Sequence, residues 1–315
     1  MIKRFFSALV VSVALVAFAA GSVSAMELWD PHLRGVNEGL AAGALPPAGV
    51  YFINNAYFAA YKIYDNNGNR VNSTKLNAYV DVPLLLWSTG LNVLGAKYGV
   101  AIAEPFDFTE LRVGTPGKQA PTWDNWGVYN TVIVPAILSW SLPMDFKVAA
   151  KLSVYMPSAS STWAPNSGNI PAGGNVIELG SGNGNWTFEP GLGLSWLHAG
   201  FNISADLKYD FCAENGNTHY KSGQEFAADY TAAYSLGKWT FGLGAYQENQ
   251  VTKDIQFNQR LNHSQVTNFG MGPLLGYNFG PCSLMFSYNW GLETKNDVGG
   301  NWCNLRLVVP LKFGN

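Results

Sequence analysis

The sequence predicts an all-β protein, a transmembrane antiparallel up-and-down β-barrel of about 12 strands with short periplasmic turns and long external loops. Three observations predict it. Charged residues are few and aromatic residues are many. Apolar and polar residues alternate with a period of two in many segments. Short and long connections alternate along the chain. This pattern is typical of a barrel whose long connections all lie on one side of a membrane.

The composition suits a surface that contacts lipid. Of the 315 residues, 13% are charged and 14% are aromatic, and the charged share is about half of the usual one. Beyond the N-terminus no apolar run reaches the roughly 18–20 residues that a membrane-spanning helix needs. This leaves an aromatic-rich secreted β protein or a membrane β-barrel. The net charge of −2 gives no basic surface, so we expect no nucleic-acid partner.

The first residues predict export from the cytoplasm. Lys3 and Arg4 precede an apolar run at 5–20, and small residues follow it as far as Ala25. This is the pattern of a signal peptide over residues 1–25, cleaved after Ala25. The alternative is an N-terminal membrane anchor.

Residues 26–48 separate this leader from the first predicted strand. Pro46 and Pro47 cannot donate hydrogen bonds to a β-ladder, so the barrel is expected to occupy residues 49–315. The residues before the prolines are either a periplasmic N-terminal segment or a small plug, and both alternatives stay open.

Alternation is clearest in residues 201–211, where every odd position is apolar and every even position is polar or charged. Successive side chains of a strand point to opposite faces, so this strand has one apolar and one polar face. A soluble antiparallel sandwich alternates too. The predicted strands span 49–63, 73–87, 91–104, 127–141, 145–157, 185–197, 200–212, 223–236, 238–252, 265–279, 282–294 and 302–313.

The connections favour the barrel over the sandwich. Short turns are predicted at 88–90, 142–144, 198–199, 237 and 280–281, and longer connections at 64–72, 105–126, 158–184, 213–222, 253–264 and 295–301. Strict alternation of this kind is typical of an outer-membrane barrel, whereas the crossing connections of a Greek-key sandwich do not sort by length.

The C-terminal strand agrees with a bacterial outer-membrane location. The stretch "LRLVVPLKF" alternates and ends on the aromatic residue Phe313, and Gly314 and Asn315 follow it. A terminal aromatic residue of this kind is what the outer-membrane assembly machinery reads. We therefore expect two partners for the chain, outer-membrane lipid and that machinery.

Charged residues on the inward face are the candidates for a constriction of the lumen. They either form an ion-pair lattice that fills the barrel or line a solute path, and the two readings do not exclude each other. A barrel of about 12 strands lies between filled eight-stranded barrels and wide porins, so it has room for a narrow channel. The candidates are Lys151, Glu189, Asp206, Lys208, Asp229 and Arg306.

Three tryptophans in the two longest predicted external loops are candidates for capturing a solute. Trp123 and Trp126 lie in 105–126, and Trp163 lies in 158–184. An exposed indole ring can stack on an aromatic ligand. The alternative is that these rings anchor the barrel at the membrane interface.

No catalytic site is expected. His198 lies near Ser195, but an odd spacing on a strand puts the two side chains on opposite faces, and there is no G-x-S-x-G motif. We therefore predict that the protein is not an enzyme.

Metal, cofactor and disulfide sites are not expected either. His219 and His263 fall in predicted loops without other ligands at suitable spacing. Cys212, Cys282 and Cys303 fall on strand ends too far apart to pair.

Four blocks of the sequence resemble one family. They are "EGLAAGALPPAGVYF" (38–52), "GNGNWTFEPGLGLSWL" (182–197), "SGQEFAADYTAAYSLGKWTFGLGAYQENQVTKD" (222–254) and "GMGPLLGYNFG" (270–280). Together they resemble the proteobacterial outer-membrane family named for the meta-cleavage pathway of phenol degradation, whose members are labelled transporters. The resemblance implies uptake of small aromatic or hydrophobic molecules.

The expected function is therefore an outer-membrane channel for facilitated diffusion of a small, aromatic or hydrophobic solute. The alternative is a structural or surface-interaction barrel with a closed lumen.

Overall fold

A computed structural model of the chain describes residues 30–71, 75–112, 122–160 and 180–311, without the side chains of Thr122 and Trp123. The predicted signal peptide, Trp163 and Phe313 lie outside these residues. Within the described ranges, no helix is long and apolar enough to cross a membrane.

The described chain is built from antiparallel strands. In chain order these are β1 (Gly49–Ile63), β2 (Lys75–Val93), β3 (Ala96–Ala103), β4 (Phe106–Arg112), β5 (Thr122–Val128), β6 (Val132–Ser141), β7 (Phe146–Tyr155), β8 (Thr187–His198), β9 (Phe201–Cys212), β10 (Tyr220–Lys221), β11 (Glu225–Leu236), β12 (Trp239–Gln250), β13 (Ile255–Gln256), β14 (Gln259–Arg260), β15 (Thr267–Asn278), β16 (Ser283–Lys295) and β17 (Val298–Leu311). The two-residue strands β10, β13 and β14 form a small separate sheet in the external loops.

The other strands form one closed wall, because β1 pairs with both β2 and β17. Strands β3 and β4 both pair with β2 and form one wall strand that is interrupted at Glu104 and Pro105. Proline has no N–H for the ladder, which accounts for the break. Strands β5 and β6 form another wall strand, interrupted at 129–131. Joined in this way, the wall is the predicted 12-stranded antiparallel barrel.

The predicted inward and outward faces are confirmed in β9. Phe201 and Ile203 are exposed on the outside, whereas Asp206, Lys208 and Asp210 are buried inside. The outer surface of an outer-membrane barrel contacts lipid, so these exposed apolar side chains are surrounded by lipid and not by water.

Three predicted connections differ from the structure. The first periplasmic turn lies at Leu94 and Gly95 rather than 88–90, because β2 continues past an irregularity between Ser88 and Asn92. Much of the predicted loop 105–126 is strand, paired as β4 and β5. The predicted loop 295–301 is only the turn at Asn296 and Asp297.

Residues 30–48, hereafter the inner segment, run along the interior of the wall. Near its start, Arg34 contacts Asp297 in an external turn. Near its end, the Leu45 N–H donates to Ser139 close to the periplasmic end of β6. The segment therefore extends down the lumen from the external half to the periplasmic rim, where β1 begins.

Candidate functional site in the barrel lumen

Side chains of the wall accept hydrogen bonds from backbone N–H groups of the inner segment. A segment without regular secondary structure needs partners for its buried N–H groups. Five of these groups donate to inward-facing side chains: Gly35 to Asp229 (3.0 Å), Asn37 to Asp229 (3.2 Å), Gly39 to Thr231 (2.8 Å), Gly43 to Ser195 (2.8 Å) and Leu45 to Ser139 (3.3 Å). The alternating polar face of the wall thus binds a peptide along its length.

Arg34 is the principal charged anchor of the inner segment. Its guanidinium donates to Glu248 (2.5 Å), to Asp30 (2.6 Å), to the Val298 carbonyl (2.6 Å) and to Asp297. The Arg34 side chain is buried. A planar fork with several donors is suited to such a set of acceptors, so Arg34 joins the segment to β12 and to the β16–β17 turn.

Arg306 on β17 makes the reciprocal contact from the wall. It donates to the carbonyl oxygens of Val36 and Glu38 (2.8 Å for Glu38) and to Asn55 Oδ1 (3.0 Å). This predicted lumen residue does face the lumen, and its partners there are the inner segment and β1.

Lysine and aspartate residues predicted for the lumen occur as ion pairs, and of these Lys208–Asp229 is buried on both sides. Lys151 Nζ lies 2.5 Å from Asp206, and Lys208 Nζ lies 2.8 Å from Asp229. Asp229 also accepts two N–H groups of the inner segment. In each pair a lysine neutralises one aspartate inside the barrel.

Glu189 on β8 is the last of the predicted lumen residues. It accepts hydrogen bonds from Ser153 (3.0 Å) and Tyr155 (3.1 Å) and lies 3.1 Å from His32 Nδ1. The structure therefore places all six predicted residues on the inner face, within one polar lattice that includes the inner segment.

The opposite side of the lumen is apolar and aromatic. Trp302 stacks on Tyr57 with ring centroids 5.0 Å apart, and Tyr246 lies 5.8 Å from Trp302. Tyr61 and Leu76 extend this buried cluster. Alternation does not predict this cluster, because both faces of β1 carry apolar residues and the pattern does not tell which face is inside.

Two of the three predicted capture tryptophans lie on a strand and not in a loop, whereas Trp163 lies outside the described residues. Trp123 and Trp126 lie on β5, paired with Leu111 and Phe108 of β4. Trp126 is 76% exposed. It ends an outward row of rings over neighbouring strands, Phe58–Tyr79–Phe108–Trp126, with centroid distances of 4.6, 5.7 and 6.5 Å.

The charged residues of the inner segment were absent from the sequence-based candidates. Asp30, His32, Arg34 and Glu38 fall within nine residues. In a chain with only 13% charged residues this density is a signal. It could have favoured the plug over the periplasmic alternative, since buried charges need partners.

Ser195 and His198 do not meet. Ser195 faces the lumen, where its hydroxyl oxygen accepts from Gly43 and lies 2.7 Å from that of Ser204. His198 is exposed near the periplasmic turn, 2.7 Å from Asp145. Cys212, Cys282 and Cys303 are all free.

Glu38 is a buried acid of the inner segment. Its Oε2 accepts from Asn289 (2.8 Å). Burial raises the pKa of Glu38 to about 9, and the charge of Asp229 adds to this, whereas Asn289, Arg306 and Lys208 oppose it. At neutral pH the carboxyl group therefore keeps its proton while the segment is docked.

We expect docking of the inner segment to weaken as the pH rises from about 5 to about 9. The docked Glu38 binds a proton that a released, hydrated Glu38 has already lost, so raising the pH favours release over this window. Single-channel recordings across this range should show more frequent opening at high pH. In Glu38→Gln, whose amide does not titrate, the dependence should be smaller, and an unchanged dependence would contradict this assignment.

Comparisons with known proteins agree with the fold. A family model described as "Putative MetA-pathway of phenol degradation" matches residues 60–307. The COG4313 outer membrane channel from Pseudomonas putida F1 is similar, with a TM-score of 0.69 at 14% identity over 86% of this chain and 98% of that chain. The translocator domain of the autotransporter NalP from Neisseria meningitidis has a TM-score of 0.51 at 9% identity, over 85% and 91%. No curated protein matches the chain.

Proposed function

Since the chain belongs to the family described as "Putative MetA-pathway of phenol degradation", we propose that it is an outer-membrane channel through which small aromatic or hydrophobic solutes cross by facilitated diffusion. The barrel supplies the location, because a closed barrel with an apolar outer surface is suited to the outer membrane.

The two-sided lumen is the observation that carries the proposal. One side is the aromatic cluster of Tyr57, Tyr246 and Trp302. The other is the polar lattice that includes Lys208 and Asp229. A phenol-like solute has an aromatic ring and a hydroxyl group, so it could pack against the first side while hydrogen-bonding to the second.

The inner segment lies in the proposed path and acts as its gate. Passage requires part of residues 30–48 to move away from the aromatic cluster, against which Leu33 packs. The ion pairs of Lys151, Asp206, Lys208 and Asp229, together with Glu189 and Arg306, then form the constriction. Trp123, Trp126 and Trp163 are proposed as capture residues. The outward row of rings that ends at Trp126 is proposed as the surface along which a solute collects.

A closed structural barrel is the second candidate. The ion pairs that join Arg34 to the wall, together with the lysine–aspartate pairs within the wall, favour it, because a lattice of this kind fills the lumen. The two candidates differ in one measurable property, solute flux.

Proteoliposome swelling distinguishes them. We expect proteoliposomes to swell faster in resorcinol than protein-free liposomes do, and to show little gain in arabinose, a polar solute of similar size. The aromatic lumen wall is the reason for this preference. Equal rates with and without protein for both solutes would exclude the channel. A larger gain in arabinose would exclude the proposed solute class.

A further inference from the structure

Two pairs of like charges face each other across the β9–β11 ladder. Asp206 is paired with Asp229, and Asp210 with Glu225. Like charges directly opposite each other on a sheet are destabilising. Inside a barrel, where little water reaches them, they need a neighbouring cation.

The two pairs differ in how they are neutralised. Lys151 binds Asp206 and Lys208 binds Asp229, so the first pair has a lysine for each carboxylate. The second pair has no lysine or arginine ion pair among the described residues. Both oxygens of Asp210 and both oxygens of Glu225 are buried without a hydrogen bond.

His32 is the basic group beside the second pair. Its Nδ1 lies 3.1 Å from Glu189 and 3.5 Å from Asp210, and its Nε2 lies 3.6 Å from Glu248 Oε1. Neither ring nitrogen has hydrogen-bond geometry with these oxygens, and Glu248 Oε1 is also unsatisfied. One imidazole therefore lies among three carboxylate oxygens, of which those of Asp210 and Glu248 have no hydrogen-bond partner.

We propose that His32 Nε2, Glu225 and Glu248 bind one divalent transition-metal ion of the Zn²⁺ type. The three residues each offer an atom within 4.8 Å of the others. A metal ion would satisfy the orphaned oxygens of Glu225 and Glu248 Oε1 together. The ion would also supply positive charge to the Asp210–Glu225 pair, as Lys151 and Lys208 do to the Asp206–Asp229 pair.

Glu189 supports this site as an orienting residue. A metal-bound imidazole usually donates its other N–H to a carboxylate, which fixes the ring. Glu189 lies at this position, on the Nδ1 side of His32, and is itself held by Ser153 and Tyr155. Nε2 is then the ring nitrogen on the side of the proposed metal, 3.6 Å from Glu248 Oε1.

The donor set selects the metal class. Ca²⁺ and Mg²⁺ prefer sites made of oxygen atoms alone, whereas an imidazole nitrogen with carboxylates is suited to Zn²⁺. A neighbouring group of carboxylates, Asp30, Glu248 and Asp297, does not compete, because the Arg34 guanidinium already occupies it.

Metal binding would tie the inner segment to the wall. His32 belongs to the segment, Glu225 begins β11 and Glu248 lies near the end of β12. The ion would therefore lock the external half of the segment, independently of which solute the barrel conducts.

Zinc stoichiometry and stability test the site on the full-length protein in detergent. The protein is stripped with a chelator, desalted and incubated with Zn²⁺, and bound zinc is counted by mass spectrometry. The unfolding temperature is read from the heat-modifiable gel band. We expect about one tightly bound Zn²⁺ per chain and a higher unfolding temperature with Zn²⁺, with little effect of Mg²⁺ or Ca²⁺ at equal concentration.

Matched variants distinguish zinc bound at this site from zinc bound elsewhere on the protein. Glu225→Gln and His32→Gln should lose the bound ion and the zinc-dependent stabilisation. Without metal, Glu225→Gln should unfold at a higher temperature than the stripped wild type, because it replaces one of two buried carboxyl groups that face each other across the ladder. Asp107→Asn, which alters a buried acid outside the set, should keep both. Unchanged zinc binding in Glu225→Gln, no zinc binding by the wild type, or equal stabilisation by Ca²⁺ would each overturn the proposal.

Discussion

Replacing Arg34 with alanine is expected to release the external half of the inner segment and to raise the single-channel conductance. The change leaves Glu248 and Asp297 buried without the cation that pairs with both. Removing one partner of a buried ion pair costs about 3–5 kcal/mol, because the remaining charges lose their compensation. A cost of this size shifts the equilibrium from the docked toward the released segment by at least about a hundredfold. Planar-bilayer recordings measure the conductance directly.

Two control variants test whether the change in conductance comes from the contacts of the Arg34 guanidinium. Arg34→Lys keeps the charge but lacks the planar fork, so its conductance should lie between those of the wild type and Arg34→Ala. Lys295→Ala breaks an exposed pair with Glu293, which is worth about 0–1 kcal/mol, and should leave the conductance unchanged. A wild-type conductance in Arg34→Ala would show that the segment is held elsewhere.

Gly193→Ala, a substitution in wall strand β8, is expected to displace the inner segment and so open the periplasmic half of the lumen. Gly193 faces inward on β8, and a Cβ there would overlap the backbone carbonyl of Ala42 in the inner segment. Backbone cannot move aside as a side chain can, so the segment must leave its place. The variant should show raised conductance while its heat-modifiable band shows an intact barrel.

Gly191→Ala is the matched control, two residues away on the same inward face. Its Cβ would meet Lys151 Cε at 2.7 Å, and the flexible lysine stem can shift while Nζ keeps its contact with Asp206. Its conductance should stay near that of the wild type. If both variants conduct alike, close approach of the segment at Gly193 does not hold it in place.

The wall was predictable because period-two alternation is a local property of the chain. Residues 201–211 carry it without interruption, and the structure has β9 there. The turn at 88–90 was misplaced because serine, threonine and glycine mark an irregularity in a strand as readily as they mark a turn. The correct turn, at Leu94 and Gly95, carries a weaker signal.

The lumen was predictable only in part, because its contacts join residues far apart in sequence. Alternation placed Lys208 and Asp229 on the inner face, but the pairing between them depends on the register of β9 against β11. The partners of His32 and Arg34 come from strands that no local pattern connects to residues 30–48.

The path of the inner segment also orders the folding of the chain. Arg34 meets the Val298 carbonyl across 264 residues, and Arg306 meets Glu38 across 268. Contacts between such distant residues form slowly, because they require the intervening chain to be in place. Both contacts use residues of β17, the last strand of the wall, so the inner segment cannot complete its docking before that strand is in place.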